Sequence, residues 1–223
     1  MLPREFELQF ADLFGGGTIS VTLHEGITTF LGPNGSGKSQ TLRALKRRLG
    51  DKLDGESLLL SAGRLRPMEA KRVIELANRN RPDQSGNLDL TIRDGFRDRW
   101  NNVETVKGVF NRISERVDIQ IKVAERLRTL FGREIILVWE RGELRVRFSR
   151  GGEEYSGDRE SSGLLHLVGI LSALYDDSLD AVLIDEPDIS LHPQLQSFLL
   201  REMERVAGDP DEGGKMVVIA THA

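Results

Sequence analysis

Cysteine is absent from this chain of 223 residues. That excludes disulfides, thiol catalysis and cysteine-based zinc sites, and it fits a reducing, cytoplasmic setting. No apolar run approaches the ~20 residues needed to span a bilayer, so no membrane association is expected. The first ten residues have neither the basic head nor the apolar core of a secretion signal. Internal repeats and low-complexity segments are also missing. What remains is 39% hydrophobic, enough for a sizeable core, and 30% charged. The net charge of −4 hides a split. Residues 64–150 carry 20 Lys and Arg against 13 Asp and Glu, which leaves the rest of the chain acidic. A basic segment can meet nucleic acid. Interleaved acidic residues equally suit a solvated helical face laced with ion pairs. Both readings stay open.

The pattern of apolar residues changes along the chain. Phe6, Leu8 and Phe10 alternate with polar residues, as do Ile19, Val21 and Leu23, which predicts two strands around a Gly15-Gly16-Gly17 turn. A short apolar run at 27–31 enters a glycine-rich loop. A helix is predicted from Lys38 to Gly50, with Leu42, Leu45 and Leu49 on one face. A buried strand is predicted at 58–60, a helix at 67–77 and a polar loop at 80–87. From 103 to 130 the spacing of Val106, Val109, Phe110, Ile113, Val117, Ile121, Ala124, Leu127 and Leu130 is helical. Residues 135–139 and 144–148 flank Arg141-Gly142 as a β-hairpin. Helix and strand then alternate: a helix after Ser161, a strand at 181–184, a helix after Pro193 and a strand at 216–220. This order suggests an α/β core formed by 1–62 and 151–223, interrupted by a helical and hairpin lobe at 63–150.

Residues 32–39 read Gly-Pro-Asn-Gly-Ser-Gly-Lys-Ser, a match to G-x-x-x-x-G-K-[ST] between a strand and a helix. Gly35 and Gly37 can take backbone angles closed to other residues, so successive N–H groups can turn toward a phosphate. The following helix adds its positive end. Lys38 supplies a compact charge for the β and γ phosphates, and Ser39 a hydroxyl for Mg²⁺. Asn34, Gly35, Ser36, Gly37, Lys38, Ser39 and Gln40 are the candidates for contact with ATP. A second element is the strand at 181–184, which ends in Asp185-Glu186-Pro187. Strand ends of this kind face the ligand in parallel sheets. Asp185 is therefore a candidate to orient Mg²⁺, and Glu186 to polarise the attacking water. A third strand ends in Thr221-His222, where a histidine can meet the γ phosphate.

Taken in order, these three elements resemble the head of ABC-type ATPases. Residues 185–196, Asp-Glu-Pro-Asp-Ile-Ser-Leu-His-Pro-Gln-Leu-Gln, resemble the EP-x-x-x-LHP-x-x-Q run of the overcoming-lysogenisation-defect (OLD) and RecF-like branch. Transport ATPases usually carry Asp where this chain has His192. The resemblance implies a P-loop NTPase of ABC-ATPase type: a mostly parallel sheet with an N-terminal antiparallel β part and a helical and hairpin insertion. It implies ATP and Mg²⁺ as cofactors, and Lys38, Glu186 and His222 as catalytic residues. The family's signature corresponds here to residues 160–164, Glu-Ser-Ser-Gly-Leu, which depart at two positions from the usual Leu-Ser-Gly-Gly. In the family this signature acts in trans, so Ser161 and Gly163 would close over ATP held by a second copy, in a homodimer. The family's metal-contacting glutamine has no clear counterpart; Gln84 and Gln120 are candidates without a motif, and Arg64 is a further residue that could face the nucleotide.

The resemblance points to a DNA-associated ATPase of repair or anti-phage defence, working with a nuclease domain or partner. A transporter ATPase subunit and an ATP-gated scaffold with little turnover are the competing roles. No nuclease is evident within the chain. Because it stops at Ala223, directly after a buried strand, the sequence is expected to be a piece of a longer protein.

Overall fold

Alternating apolar residues give the chain its first two strands. β1 (Arg4–Gln9) and β2 (Thr18–Leu23) pair antiparallel, with Phe6 opposite Val21 and Leu8 opposite Ile19. Phe6, Leu8, Val21 and Leu23 point inward and are buried. The structure, a computed structural model, describes residues 2–10, 16–51, 53, 56–60, 109–110, 113–140, 143–189 and 191–222. The helix expected at 67–77 and the loop expected at 80–87 lie outside the described residues, as do Arg64 and Gln84.

β3 (Ile27–Leu31) leads through the glycine loop into α1 (Lys38–Gly50), which buries Leu42, Leu45 and Leu49 along one stripe. β4 (Glu56–Leu60) follows. α2 (Val117–Phe131) is closed by Gly132, whose φ of 60° suits the left-handed end of a helix. Three antiparallel strands come next: β5 (Arg133–Glu140), β6 (Glu143–Arg150) and β7 (Glu153–Ser156). α3 (Ser162–Leu174), β8 (Leu179–Asp185), α4 (Pro193–Val206) and β9 (Met216–Thr221) complete the order.

β8 and β9 are apolar at successive positions, as strands covered on both faces must be. They are the inner strands of a four-stranded parallel sheet ordered β3-β9-β8-β4. Each strand feeds both faces. Ala181, Leu183, Val218 and Ala220 join α1 and the β1–β2 ribbon in one apolar cluster. Val182, Ile184, Val217 and Ile219 join α2, α3, α4 and Phe148 of β6 in the other. The result is an α/β fold with a parallel sheet between layers and an antiparallel part at its N-terminus. Burying each Val, Leu or Ile among them stabilises by about 1.5–3 kcal/mol, and each Ala by less.

Two expectations change here. The helix read through 103–130 is broken at 114–116, where Ser114 and Glu115 turn and Arg116 takes φ −107°, ψ 82°. Arg116 bridges Asp118 and the buried Asp176, which fixes the break. The turn re-phases the helix: Ile119, Val123 and Leu127 face the core, while Val117 and Ile121 are 64% and 55% exposed. The hairpin at 133–150 also gains a third strand, with Phe148 opposite Tyr155. That pairing carries the antiparallel sheet across position 151, where the sequence suggests that the core resumes.

Candidate functional site

The loop after β3 is shaped by its glycines. Gly35 and Gly37 have φ of 80° and 90°, the left-handed region that side chains resist. A Cβ on Gly32 would lie 2.9 Å from Ser36 Oγ, so a side chain there would push the Ser36 hydroxyl aside. Lys38 Nζ arches back and donates to Gly32 O at 2.7 Å and Pro33 O at 3.0 Å. Thr41 Oγ1 donates to Gly37 O at 3.1 Å and fastens the start of α1. Asn34, Gly35, Ser36 and Gln40 are exposed around this turn. A concave backbone at a helix N-terminus, under an ammonium group, is suited to a phosphate chain.

The sheet order sets what the loop faces. β9 lies between β3 and β8, so Thr221-His222 emerges between the loop and the Asp185-Glu186 pair. Adjacent strands are about 4.7–4.9 Å apart. Ser39, in the first turn of α1, reaches over the end of β9, and its Oγ donates to Asp185 Oδ2 at 2.5 Å. Asp185 is buried. Beyond it the chain turns sharply: Glu186 has φ 52°, the one non-glycine among the described residues with positive φ. Its N–H donates to Ala220 O at 2.7 Å. The turn ends the strict alternation of the strand and brings Glu186 Oε1 within 2.6 Å of His222 Nε2. Lys38, Ser39, Asp185, Glu186 and His222 thus gather at the carboxyl ends of three neighbouring strands.

Supporting contacts surround this group. Thr221 Oγ1 donates to Asp188 Oδ1 at 2.8 Å, tying β9 to the turn after Glu186. Gln196 Nε2 donates to Leu191 O at 3.0 Å and Asp188 O at 3.3 Å, which folds the Leu-His-Pro run onto α4. His192 stands at the N-cap of α4, where its Nδ1 accepts from Gln194 N at 3.4 Å. The sequence motif contains Gln196 and His192, but their bonds within the run carry no signal of their own.

Ser161 and Gly163 lie elsewhere. Ser161 caps α3, its Oγ accepting from Leu164 N at 3.2 Å. Among the described residues no hydrogen bond joins either residue to the loop. Gln120 donates to Ile113 O at 2.8 Å and so braces the turn before α2. One group escaped the sequence altogether: His166 of α3 is 4% exposed, and its Nε2 has no hydrogen-bond partner among the described residues. Burial holds its pKa below the usual histidine value, with the Asp188 charge opposing.

The donor set fits the expected cofactors. A hydroxyl and a carboxylate, both hard oxygens, converge beside the phosphate loop. Among the described residues there is no group of three or more His, Cys, Asp or Glu able to cage a metal. Mg²⁺ uses this kind of site, taking one or two protein oxygens and filling the remainder with water and phosphate.

Among the described residues no helix is long and apolar enough to cross a membrane. No curated protein matches the chain significantly. One similar solved structure is titled "Putative ABC transporter (ATP-binding protein)" from Pyrococcus furiosus. It is 15% identical, over 92% of this chain and 82% of that one, with a TM-score of 0.47. A family model described as "AAA domain, putative AbiEii toxin, Type IV TA system" matches residues 110–223, the stretch that carries Ser161, Asp185, Glu186 and His222. With more than half of its length matched, the chain belongs to this AAA-domain family.

Proposed function

We propose that this chain is a Mg²⁺-dependent ATPase head of the OLD and RecF-like branch. It pairs with a second copy around ATP and serves DNA repair or anti-phage defence beside a nuclease domain or partner. The carrying observation is the Ser39–Asp185 bond at 2.5 Å, with Glu186 and His222 2.6 Å apart immediately beside it. Phosphoryl transfer to water needs positioning and charge stabilisation more than covalent chemistry. Backbone N–H groups of 34–39 would hold the phosphates, and Lys38 would leave the carbonyls of Gly32 and Pro33 for the β and γ oxygens. Ser39 and Asp185 would hold Mg²⁺, which would supply charge neutralisation for the transferred phosphoryl group. Glu186 would orient the attacking water, and His222 would hold Glu186 in register and face the γ phosphate.

The dimer is read from the family resemblance, in which Ser161 and Gly163 act in trans. The N-terminus of α3 is suited to the γ phosphate held by another copy. The DNA role rests on the basic balance of 64–150.

Glu186→Gln should slow hydrolysis and trap an ATP-bound dimer, read by light scattering with and without ATP. A variant that stays monomeric in saturating Mg-ATP would remove the shared site. Phosphate release, with Lys38→Ala as the inactive control, tests turnover itself. DNA binding that is absent, or unchanged by salt, would remove the nucleic-acid role, since phosphate contacts release counterions.

A further inference from the structure

The residue before Ser161 is a buried carboxylate. Glu160 has a side chain 6% exposed, held by Arg133 of β5 with Nε 2.8 Å from its Oε1. The Tyr155 hydroxyl of β7 donates to the same oxygen. Arg133 Nε also donates to Tyr155 OH at 3.2 Å, which closes a triangle of three side chains. Tyr155 is itself stacked on the fully buried Phe148 of β6, with ring centroids 6.2 Å apart. The segment between β7 and α3 is fixed at a further point. A Cβ on Gly157 would sit 2.9 Å from Val146 O of β6, so only glycine admits this approach. Glu160 N donates to Gly157 O at 3.0 Å and closes the turn. All three strands of the antiparallel sheet therefore meet the segment that leads into α3, at Gly157 and Glu160.

The charge arrangement has a purpose of its own. An anion one residue before a helix N-terminus competes with any phosphate bound there. The Arg133 guanidinium, 2.8 Å from the Glu160 carboxylate, offsets its charge. Ser161 and Gly163 are then left as neutral donors at the positive end of α3.

We propose that Glu160 is a positioning residue: through Arg133 and Tyr155 it lets the β5–β7 sheet set the placement of Ser161 and Gly163 against ATP held by a second copy. The proposal rests on the shared-site reading above and adds the element that controls the trans half of that site. Nucleotide binding at 32–39 lies outside its reach, so the two halves should separate under mutation.

The test uses Glu160→Ala, Glu160→Gln and Tyr155→Phe, with Ser161→Ala as reference, in the chain as it stands. Glu160→Ala should leave fluorescent ATP binding to the loop within about twofold of wild type. It should lower kcat about tenfold or more, the scale of a lost hydrogen bond to a charged group. It should weaken ATP-driven dimerisation of the Glu186→Gln background by a similar factor. Glu160→Gln keeps an acceptor for Tyr155 and Arg133 and should restore most of kcat. Tyr155→Phe, a minimal change, should fall between these two. If Ser161→Ala lowers kcat while Glu160→Ala and Tyr155→Phe do not, the positioning role is overturned and the shared site stands. If Ser161→Ala leaves turnover and dimerisation unchanged, the shared-site reading falls and the positioning role with it. Loss of loop binding in step with kcat in Tyr155→Phe would show a general structural role instead and would also overturn the proposal.

Discussion

Glu186 sits in a backbone conformation that its own side chain disfavours, and this can be measured separately from chemistry. Its φ is 52°, and its N–H is held to Ala220 O at 2.7 Å. The left-handed region costs an L-residue about 1–2 kcal/mol. Glycine avoids that cost but gives back about 0.5–1 kcal/mol through the greater freedom of its unfolded chain. A β-branched residue fits this region worst. Three variants share the loss of the carboxylate: Glu186→Gln, Glu186→Gly and Glu186→Val. With Gln as reference, Gly should be more stable by about 0.5–1 kcal/mol, and Val less stable by about 1–2 kcal/mol. For a chain of this length, each kcal/mol moves the melting temperature by about 2–4 °C. Urea midpoints and thermal melts in the absence of nucleotide would give the order Gly, Gln, Val, while phosphate release is low in all three. If Gly is no more stable than Gln, and Val no less, the turn at 186 is unstrained and the argument fails. The expected order would mean that the site holds its carboxylate against the stability of the fold.

Other outcomes follow from the same geometry. Asp185→Asn should fold, because an amide oxygen still accepts from Ser39, yet lose its response to Mg²⁺. Saturation at 100 times Kd stabilises a native protein by about 2.7 kcal/mol, so Mg-ATP should raise the wild-type melting temperature by several degrees and that of the variant no more than ATP with a chelator. Lys215 is 6% exposed and donates to Asp176 O at 2.8 Å and Leu179 O at 2.9 Å. Lys215→Met takes this donor from Leu179 O, while Asp176 O keeps the Leu179 N–H at 3.0 Å, and should cost about 1–3 kcal/mol by urea denaturation; a loss under about 0.5 kcal/mol would show that the ammonium bonds contribute little. His166 is buried with its pKa lowered, so the unfolded chain binds a proton more readily than the native one. Its contribution to stability is complete above about pH 6.5 and is lost as pH falls below that value. His166→Leu should therefore gain on wild type between pH 7.5 and 5.5 in urea melts, and a narrowing gap would contradict the burial argument.

Much of the core could be read from the amino acids alone because its signals are local. β8 and β9 are continuous apolar runs, and α1 shows one stripe of leucines after an exact loop motif. The loop residues 34–39, Asp185, Glu186 and His222 were candidates from motif context, and the fold brings the central ones within hydrogen-bond reach of each other. β7 was not legible: Glu-Glu-Tyr-Ser is short and polar, and only Tyr155 turns inward. The phase of α2 was hidden as well, because apolar spacing runs on through the turn at 114–116. What stops the helix is Arg116 reaching Asp176, sixty residues away. The Glu160–Arg133–Tyr155 triangle is of the same kind. Its members are unremarkable polar residues until three strands and a turn bring them together.

The middle of the parallel sheet has a consequence for how the chain is made. β9 separates β3 from β8, and Ile27 pairs with Val217, 190 residues later. A chain leaving the ribosome in order therefore has its phosphate-loop strand 190 residues before the strand that joins it to the Asp185 strand, which itself precedes that partner by 35 residues. Each waits with an open, apolar edge, the feature through which nascent chains aggregate. Such distant pairing is also slow to form, because the closing of the loop precedes any reward from contact. Ser39 and Asp185 cannot take their final places until β9 lies between β3 and β8, so the candidate site is assembled only after Met216–Thr221 has joined the sheet.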